Sequence, residues 1–400
     1  MTIDIYRQID SYRDEMIDTL KKMIAIPAIS PESGGEGEEK RADFLESVLK
    51  GMGLSVRRYD YKDKAGAKRP NLIATYGNAE RTIWILSHMD TVSAGDIKLW
   101  SHDPFDAYVK DRKVFGRGTS DNGQGVISSI YALKAIIRSK MPIKYRFGIA
   151  LVADEEVGSE YGAKKLVREK IFNHNDMVIV PDWGTSRGDA IEIAEKGILW
   201  VKLIVEGKQV HASTPNKGVN AYRVAISMLK EMDEKLHKKY SAKDKLFDPS
   251  FSTFEMTKHE KNVDSVNIVP GSDISYMDCR ILPRYKIDAV IKDLESIASK
   301  YSNGRARASI YIYNREDPAK PTSADSEIAK RLASAIKSVK GINPKFVGIG
   351  GGTVAKYFRD LGMQAVVWAT LPDNAHQPDE YLIIDDMVSD AKVFAHLFVG

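Results

Sequence analysis

Residues 81–92 read Arg81-Thr-Ile-Trp-Ile-Leu-Ser87-His88-Met89-Asp90-Thr91-Val92. The opening apolar run predicts a strand over 81–87. The polar cluster that follows therefore stands at the strand's carboxyl end, where open α/β sheets place their ligand sites. His88 and Asp90 lie two apart, so in an extended segment they point to one side. There Asp90 could hold the second ring nitrogen of a metal-ligating His88. Taken alone, the pair could equally be an ordinary loop histidine and aspartate.

Outward from this stretch, apolar runs alternate with helical patterns. Ile5, Ile9, Tyr12, Met16, Leu20 and Met23 recur at helical spacing and predict one helix ending before Pro27. A Gly- and Glu-rich loop over 31–39 precedes a helix through Phe44, Val48 and Leu49. Strands are expected at 147–152, 177–180, 346–347 and 365–368. Helices are expected over 126–139 and 326–340 and from Thr353. This alternation argues for the α/β class with a largely parallel central sheet. Near residue 195 the texture changes. Residues 197–206 look like a long edge-type strand, followed by a helix over 221–237 and strands near 265–269, 272–281 and 308–313. That is a separate α+β unit, with residues 317–321 as a linker out of it. The expected organisation is a catalytic domain over 1–194 and 315–400, interrupted by an inserted domain over 195–314.

The 400 residues include 43% hydrophobic and 28% charged ones, enough apolar content for packed cores and too much for a disordered chain. Lys plus Arg total 59 against 55 for Asp plus Glu, a net charge of +4. The charges are interspersed, so no nucleic-acid arm and no membrane patch is expected. No apolar stretch is long enough to span a bilayer, and the polar N-terminus is unlike a secretion signal. One cysteine, Cys279, rules out an intrachain disulfide and fits the cytoplasm.

Four further clusters carry acids or histidines. Gly116-Arg-Gly-Thr-Ser-Asp121-Asn-Gly-Gln-Gly125 delivers one carboxylate just before a helix. It could cradle a phosphate at a helix N-terminus, but its spacing fits neither a P-loop nor a dinucleotide fingerprint. Asp154-Glu155-Glu156 ends the strand over 147–152. Three adjacent carboxylates raise one another's pKa unless something positive neutralises them, so this turn could hold a metal, supply a general base, or be a solvated acidic turn. Asp182 follows the strand over 177–180, and His376 lies in Asn374-Ala-His376-Gln-Pro-Asp-Glu380 beyond the strand over 365–368. Nitrogen and oxygen ligands without cysteine suit zinc, cobalt or manganese, and Asp121 can bridge two ions.

In combination the chain resembles the M20 family of metallopeptidases and deacylases, which includes succinyl-diaminopimelate desuccinylase, acetylornithine deacetylase and peptidase T. His88-Met-Asp-Thr-Val resembles its first motif, Gly116 to Asp121 its second, Asp154-Glu155-Glu156 its third, and His376 with Asp379-Glu380 its last. The resemblance implies a zinc-hydrolase-like α/β/α catalytic domain with a smaller α+β dimerisation, or lid, domain. It implies two divalent ions, expected to be zinc: one on His88 and Asp182, the other on Glu156 and His376, with Asp121 between them. Glu155 would be the general base and Asp90 would orient His88. A cis peptide would follow Asp121. The inserted domain would form a homodimer, and His211 would reach the partner's site to stabilise the oxyanion. Asn267, Arg280 and the turn containing Gly351, Gly352 and Thr353 would hold a substrate carboxylate.

Two positions depart from the family pattern. A lysine usual after the bridging aspartate is Gln124 here. Asp182 stands where the family's deacylases usually carry Glu, while its aminopeptidases and dipeptidases tend to carry Asp. The expected function is therefore a di-metal amide hydrolase acting on small N-acyl amino acids, or alternatively on short peptides, that bear a free carboxylate. Other classes weighed are a metal-holding scaffold without catalysis, and a nucleotide-binding enzyme using Phe346 to Thr353. The latter lacks a correctly spaced third glycine and an acid to hold a ribose.

Overall fold

The computed structural model describes residues 2–302 and 304–399. The quoted run becomes strand Thr82–His88, and all seven of its residues are buried. Such a strand needs cover on both faces, which a parallel sheet between two helical layers supplies. The chain divides into two compact units. The larger consists of Met1–Ile193, Thr322–Val347 and Thr353–Gly400; the smaller consists of Ala194–Pro321 and Gly348–Gly352. The 317–321 stretch and the glycine turn at 348–352 thus go with the smaller unit.

In the larger unit, helices α1 (Thr2–Ser11) and α2 (Arg13–Ile24) replace the single helix expected over 5–23. The apolar stripe is still buried from Ile5 to Met23. The axis breaks at Tyr12, whose N–H bonds the carbonyl three residues back, a tighter turn than an α-helix makes. Next come α3 (Glu39–Gly51), the hairpin β1 (Val56–Lys62) and β2 (Lys68–Tyr76), and β3 (Thr82–His88). A turn over Thr119–Gly123 opens α4 (Gln124–Ser139), followed by β4 (Arg146–Val152), β5 (Met177–Thr185) and β6 (Ala190–Glu195).

The smaller unit contains β7 (Gly197–Glu206), α5 (Ala221–Lys239), β8 (Thr253–His259), β9 (Ser272–Ile281), α6 (Ile287–Tyr301) and β10 (Arg307–Glu316). Its sheet is antiparallel in the order β8-β9-β7-β10. The strand expected at an edge, β7, is therefore interior. Its alternating polarity reflects a sheet covered on one face only: Leu199, Val201, Leu203 and Val205 pack against Met228, Met232, Leu236, Val290 and Leu294 of α5 and α6. The strand expected over 265–269 contracts to Ile268–Val269, paired with Val210–His211.

The chain returns to the larger unit through α7 (Glu327–Lys340), β11 (Lys345–Ile349), β12 (Gln364–Thr370) and α8 (Ile384–Val399). Between β11 and β12 the helix expected from Thr353 is the short Ala355–Asp360. The large sheet runs β1-β2-β4-β3-β5-β12-β6-β11. Its centre, β4-β3-β5-β12, is parallel, and antiparallel pairing flanks it at β1/β2, β2/β4 and β12/β6. Trp84, Leu86, Val152, Val178, Val180 and Val367 pack on one face against the helices carrying Leu166 and Phe358. On the other face Phe147 stacks on Phe398, and Trp368 meets Phe394 edge-on, both partners from α8. The fold is mixed α/β around a large central sheet. Among the described residues no helix is long and apolar enough to cross a membrane.

Candidate metal centre

The parallel strands point their carboxyl ends to one edge, and the chemistry-bearing side chains of the larger unit collect there. His88 is the last residue of β3. The turn Glu155–Val157 follows β4, Asp182 lies in β5 after Pro181, and the loop after β12 carries His376. Asp121 sits in the turn before α4.

Asp121 occupies the middle of the cluster. Its Oδ1 lies 2.8 Å from His88 Nε2 and its Oδ2 lies 3.0 Å from His376 Nε2. Asp182 Oδ1 approaches the same His88 nitrogen at 3.1 Å. Glu156 Oε2 lies 3.2 Å from His376 Nε2. The result is two ligand groups, His88–Asp121–Asp182 and Asp121–Glu156–His376, with the donor atoms of each within 4.8 Å of one another. The Asp121–Asn122 peptide is cis, as the resemblance implies.

The surrounding atoms orient these ligands. His88 Nδ1 faces the carbonyl of Asp90 at 3.0 Å. A carbonyl only accepts, so Nδ1 carries a proton, and Nε2, facing the cluster, is the nitrogen left to bind a cation once the ring is neutral. The Asp90 carboxylate stands farther from Nδ1, at 3.6 Å. Its oxygens accept instead from the backbone N–H groups of Glu155 (3.1 Å) and Glu156 (3.0 Å). Asp90 thus reaches His88 mainly through its main chain and holds the acidic turn with its side chain. Asn122 donates to Asp182 Oδ1 at 2.9 Å and to Pro181 O at 2.6 Å.

The charges are out of balance. Burial, followed by the negative charge of Asp182, pushes the Glu155 carboxyl well above the usual carboxylate range. Burial likewise raises Glu156 and Asp182. For His88 burial opposes the charged form, but the negative charge of Asp182 with the ring's hydrogen bonds to Asp121 and Asp182 outweighs it, and its pKa rises well above the ordinary value. Hydrogen bonds donated to Asp121 and then Glu156 lift His376 to about 10. A centre in which buried carboxylates are held by protonated imidazoles lacks positive charge. With nitrogen and oxygen donors only, the residues fit two divalent cations that share Asp121.

The other expected site residues fall into two sets. In the smaller unit, His211 and Asn267 are exposed neighbours across a short ladder, and Asn267 O accepts from Ala212 N–H at 2.8 Å. The backbone N–H of Ser213 donates to His211 Nδ1 at 3.1 Å, which leaves Nε2 as the proton-bearing nitrogen of the neutral ring. Arg280 is engaged by Asp278 through Nε (2.7 Å) and Nη2 (2.9 Å) and reaches the Gly350 carbonyl at 2.9 Å. Gly351 and Gly352 follow in that turn. Thr353 belongs to the larger unit, where its hydroxyl accepts from Ala355 N–H at 3.2 Å. Gln124, in the place of the usual lysine, is buried and donates to Asp390 at 2.8 Å and to Thr370 O at 2.6 Å.

Sequence reasoning passed over the supports. Arg69 is fully buried and pairs with Glu38 (2.6 Å) and Asp154 (2.9 Å), fixing the acidic turn from behind. Arg41 is buried and donates to Met89 O at 2.8 Å, between the two polar residues of the first motif. Arg117 pairs with Glu380 at 2.7 Å, both buried. No local signal marked them: Arg69 stands in the polar opening Lys68-Arg-Pro-Asn71 of its strand, and only its burial beside Glu38 and Asp154 shows the role.

Comparison with known proteins agrees with this geometry. The sequence profile of peptidase family M20/M25/M40 matches residues 84–399. An uncharacterized metallohydrolase of Methanocaldococcus jannaschii is 38% identical over 95% of this chain and 98% of its own. The succinyl-diaminopimelate desuccinylase of Wolinella succinogenes is 27% identical over 92% of this chain and 94% of its own. A tripeptidase from Staphylococcus aureus shares the fold, with a TM-score of 0.77 and 19% identity over 96% of this chain and 97% of that one. The chain belongs to the M20/M25/M40 peptidase family and is a metal-dependent hydrolase of amide bonds.

Proposed function

We propose that this M20-family hydrolase removes the acyl group from small N-acyl amino acids that carry a free carboxylate. The observation that carries this reading is a similarity to succinyl-diaminopimelate desuccinylase that runs through nearly the whole of both chains. A second reading, aminopeptidase or dipeptidase action on short peptides, has its own support in Asp182, the acid that the family's aminopeptidases and dipeptidases tend to carry, and in the fold shared with a tripeptidase.

In either reading His88 and Asp182 would hold one ion, Glu156 and His376 the other, and Asp121 both. Zinc suits three nitrogen and oxygen ligands with a position left open. The ions, when bound, supply polarisation of the amide carbonyl and a lowered pKa for a water. Glu155, in neither ligand group and with a raised pKa, takes a proton from the attacking water and delivers it to the departing amine. Asp90 keeps that base in place by its bond to the Glu155 N–H. His211 offers its Nε2–H to the oxyanion in a homodimer, and Arg280 with Asn267 and the turn at 351–353 takes the substrate carboxylate. Exposed Tyr222 and Ile226 on α5 support self-association through the smaller unit. The compartment proposed is the cytoplasm, where a single free cysteine is ordinary.

The test is hydrolysis by metal-reconstituted protein across N-succinyl-diaminopimelate, N-acetylornithine, dipeptides and tripeptides. Turnover of acyl amino acids with silence on peptides is expected. Turnover of free-amine peptides alone would overturn the deacylase reading in favour of the second.

A further inference from the structure

Glu380 is fully buried, and its carboxylate accepts from one short stretch of chain. Oε1 takes the N–H of Ser120 (2.9 Å), the Ser120 hydroxyl (3.0 Å) and the N–H of Asp121 (3.1 Å). Oε2 takes the N–H of Gly118 (3.0 Å) and Arg117 Nη1 (2.7 Å). Every donor thus comes from residues 117–121, the segment that ends at the shared ligand. We propose that Glu380 is a positioning residue for the metal centre, setting the Asp121 carboxylate in reach of both His88 and His376. This rests on the two-metal reading above.

Three observations carry the assignment. First, a carboxylate accepts on both oxygens and donates on neither. A Gln of the same shape would turn an NH2 toward either the Gly118 N–H and Arg117 or the N–H groups of Ser120 and Asp121, donor against donor. The pocket is therefore written for the anion. Second, the grip joins the loops that carry two ligands of one group: Glu380 lies four residues after His376, and Arg117 also donates from Nη2 to His376 O at 3.3 Å. Third, the gripped turn has little freedom of its own. Gly118 sits at φ +83°, and a Cβ there would come within 2.5 Å of Thr91 Cγ2. Gly118 O also closes the turn by accepting from Gly123 N–H at 3.0 Å. A loop held at Gly118, Ser120 and Asp121 by one buried carboxylate leaves Asp121 only its side-chain torsions.

Supporting carboxylates around metal ligands are worth about 10–100-fold in metal affinity, and that is the effect expected of Glu380→Gln. The control is Glu192→Gln in the same unit, which cuts an equally buried pair, Glu192–Arg359 at 2.9 Å, away from the ligand loops. Zn2+ and Co2+ affinities are measured by competition with a chromophoric chelator, together with the Co2+ visible spectrum and the melting temperature of the metal-free proteins. Glu380→Gln is expected to weaken binding of at least one ion about 10–100-fold and to change the Co2+ spectrum. Glu192→Gln is expected to lower the melting temperature while keeping both affinities and the spectrum. If Glu380→Gln does not fold, Ser120→Ala removes one of the same bonds and is expected to weaken the same ion several-fold. A folded Glu380→Gln, or in its place Ser120→Ala, with both affinities and the spectrum of the parent protein would overturn the assignment while leaving the two-metal reading intact. Parent protein that takes up fewer than two ions overturns both.

Discussion

The two ligand groups share Asp121 but are built of different material. His88 and Asp182 belong to strands β3 and β5, and His88 is 3% exposed. Both ring nitrogens of His88 are engaged, and the Asn122 amide fixes Asp182. Glu156 and His376 come from connecting segments. The His376 side chain is 52% exposed, and its backbone stands at φ +63°, which a non-glycine residue adopts only when its surroundings hold it there. The contrast in exposure lies in the imidazoles: the Glu156 side chain, 8% exposed, is as buried as that of Asp182 at 10%, while His376 stands open on a loop and His88 does not. The group of His88 should keep its ion as part of the folded structure, and the group of His376 should exchange it.

The largest expected effect tests Glu155, the acid proposed as the base, which belongs to neither group. Glu155→Gln should lower kcat by about 10²–10⁴-fold while the protein still takes up two ions by metal analysis; full turnover would remove Glu155 from the mechanism. Next come the two imidazoles. His376→Ala should lose one ion and retain the other. His88→Ala should weaken both, because it strands Asp121 and Asp182 in the interior, and should destabilise the metal-free protein by about 3 kcal/mol. If equilibrium dialysis and denaturant unfolding give the two variants the same profile, the contrast between the buried and the open imidazole is wrong.

A proton-linked effect comes next. In the metal-free protein His376 is raised from the ordinary 6.5 to about 10, and His88 is raised as well. A group with a raised folded-state pKa stabilises the fold fully below its unfolded value and loses that contribution as pH rises through the folded one. The melting temperature of metal-free protein should therefore fall between about pH 6.5 and 10. Metal binding needs neutral imidazole, so it should tighten over the same range and release protons. Calorimetry in buffers of different ionisation enthalpy counts those protons, and none released would contradict the assigned ion pairs. The smallest effect is Asn122→Ala. Loss of its bond to the Asp182 carboxylate should cost about 1.5–3 kcal/mol of hydrogen bonding at most and weaken the ion on His88 and Asp182 alone. Equal weakening of both ions would show that Asn122 acts on the shared Asp121 instead.

Much of the fold was legible because its signals are local. The run before His88, the apolar strands over 147–152, 177–180 and 365–368, and the acid or histidine after each can be read from spacing alone. Where reading failed, neighbours distant in sequence decided. The alternating polarity of β7 suggested an edge, but pairing with β9 and β10 made it central. The break at Tyr12 does not interrupt the apolar stripe, so periodicity could not reveal it. Helix α8 went unnoticed although its Phe394 and Phe398 complete the aromatic packing of the sheet.

The order of motifs along the chain carried the family and the list of candidate ligands, because each motif sits where a hydrophobic strand ends and the chain must turn. The balance of charge around them came from residues with no local signature. Arg69 lies in a strand, Glu38 in an acidic loop and Arg117 among glycines, and the partner of Arg117, Glu380, is 263 positions away. A buried charge is tolerated only beside its partner, and which charges become partners depends on how the strands stack in space.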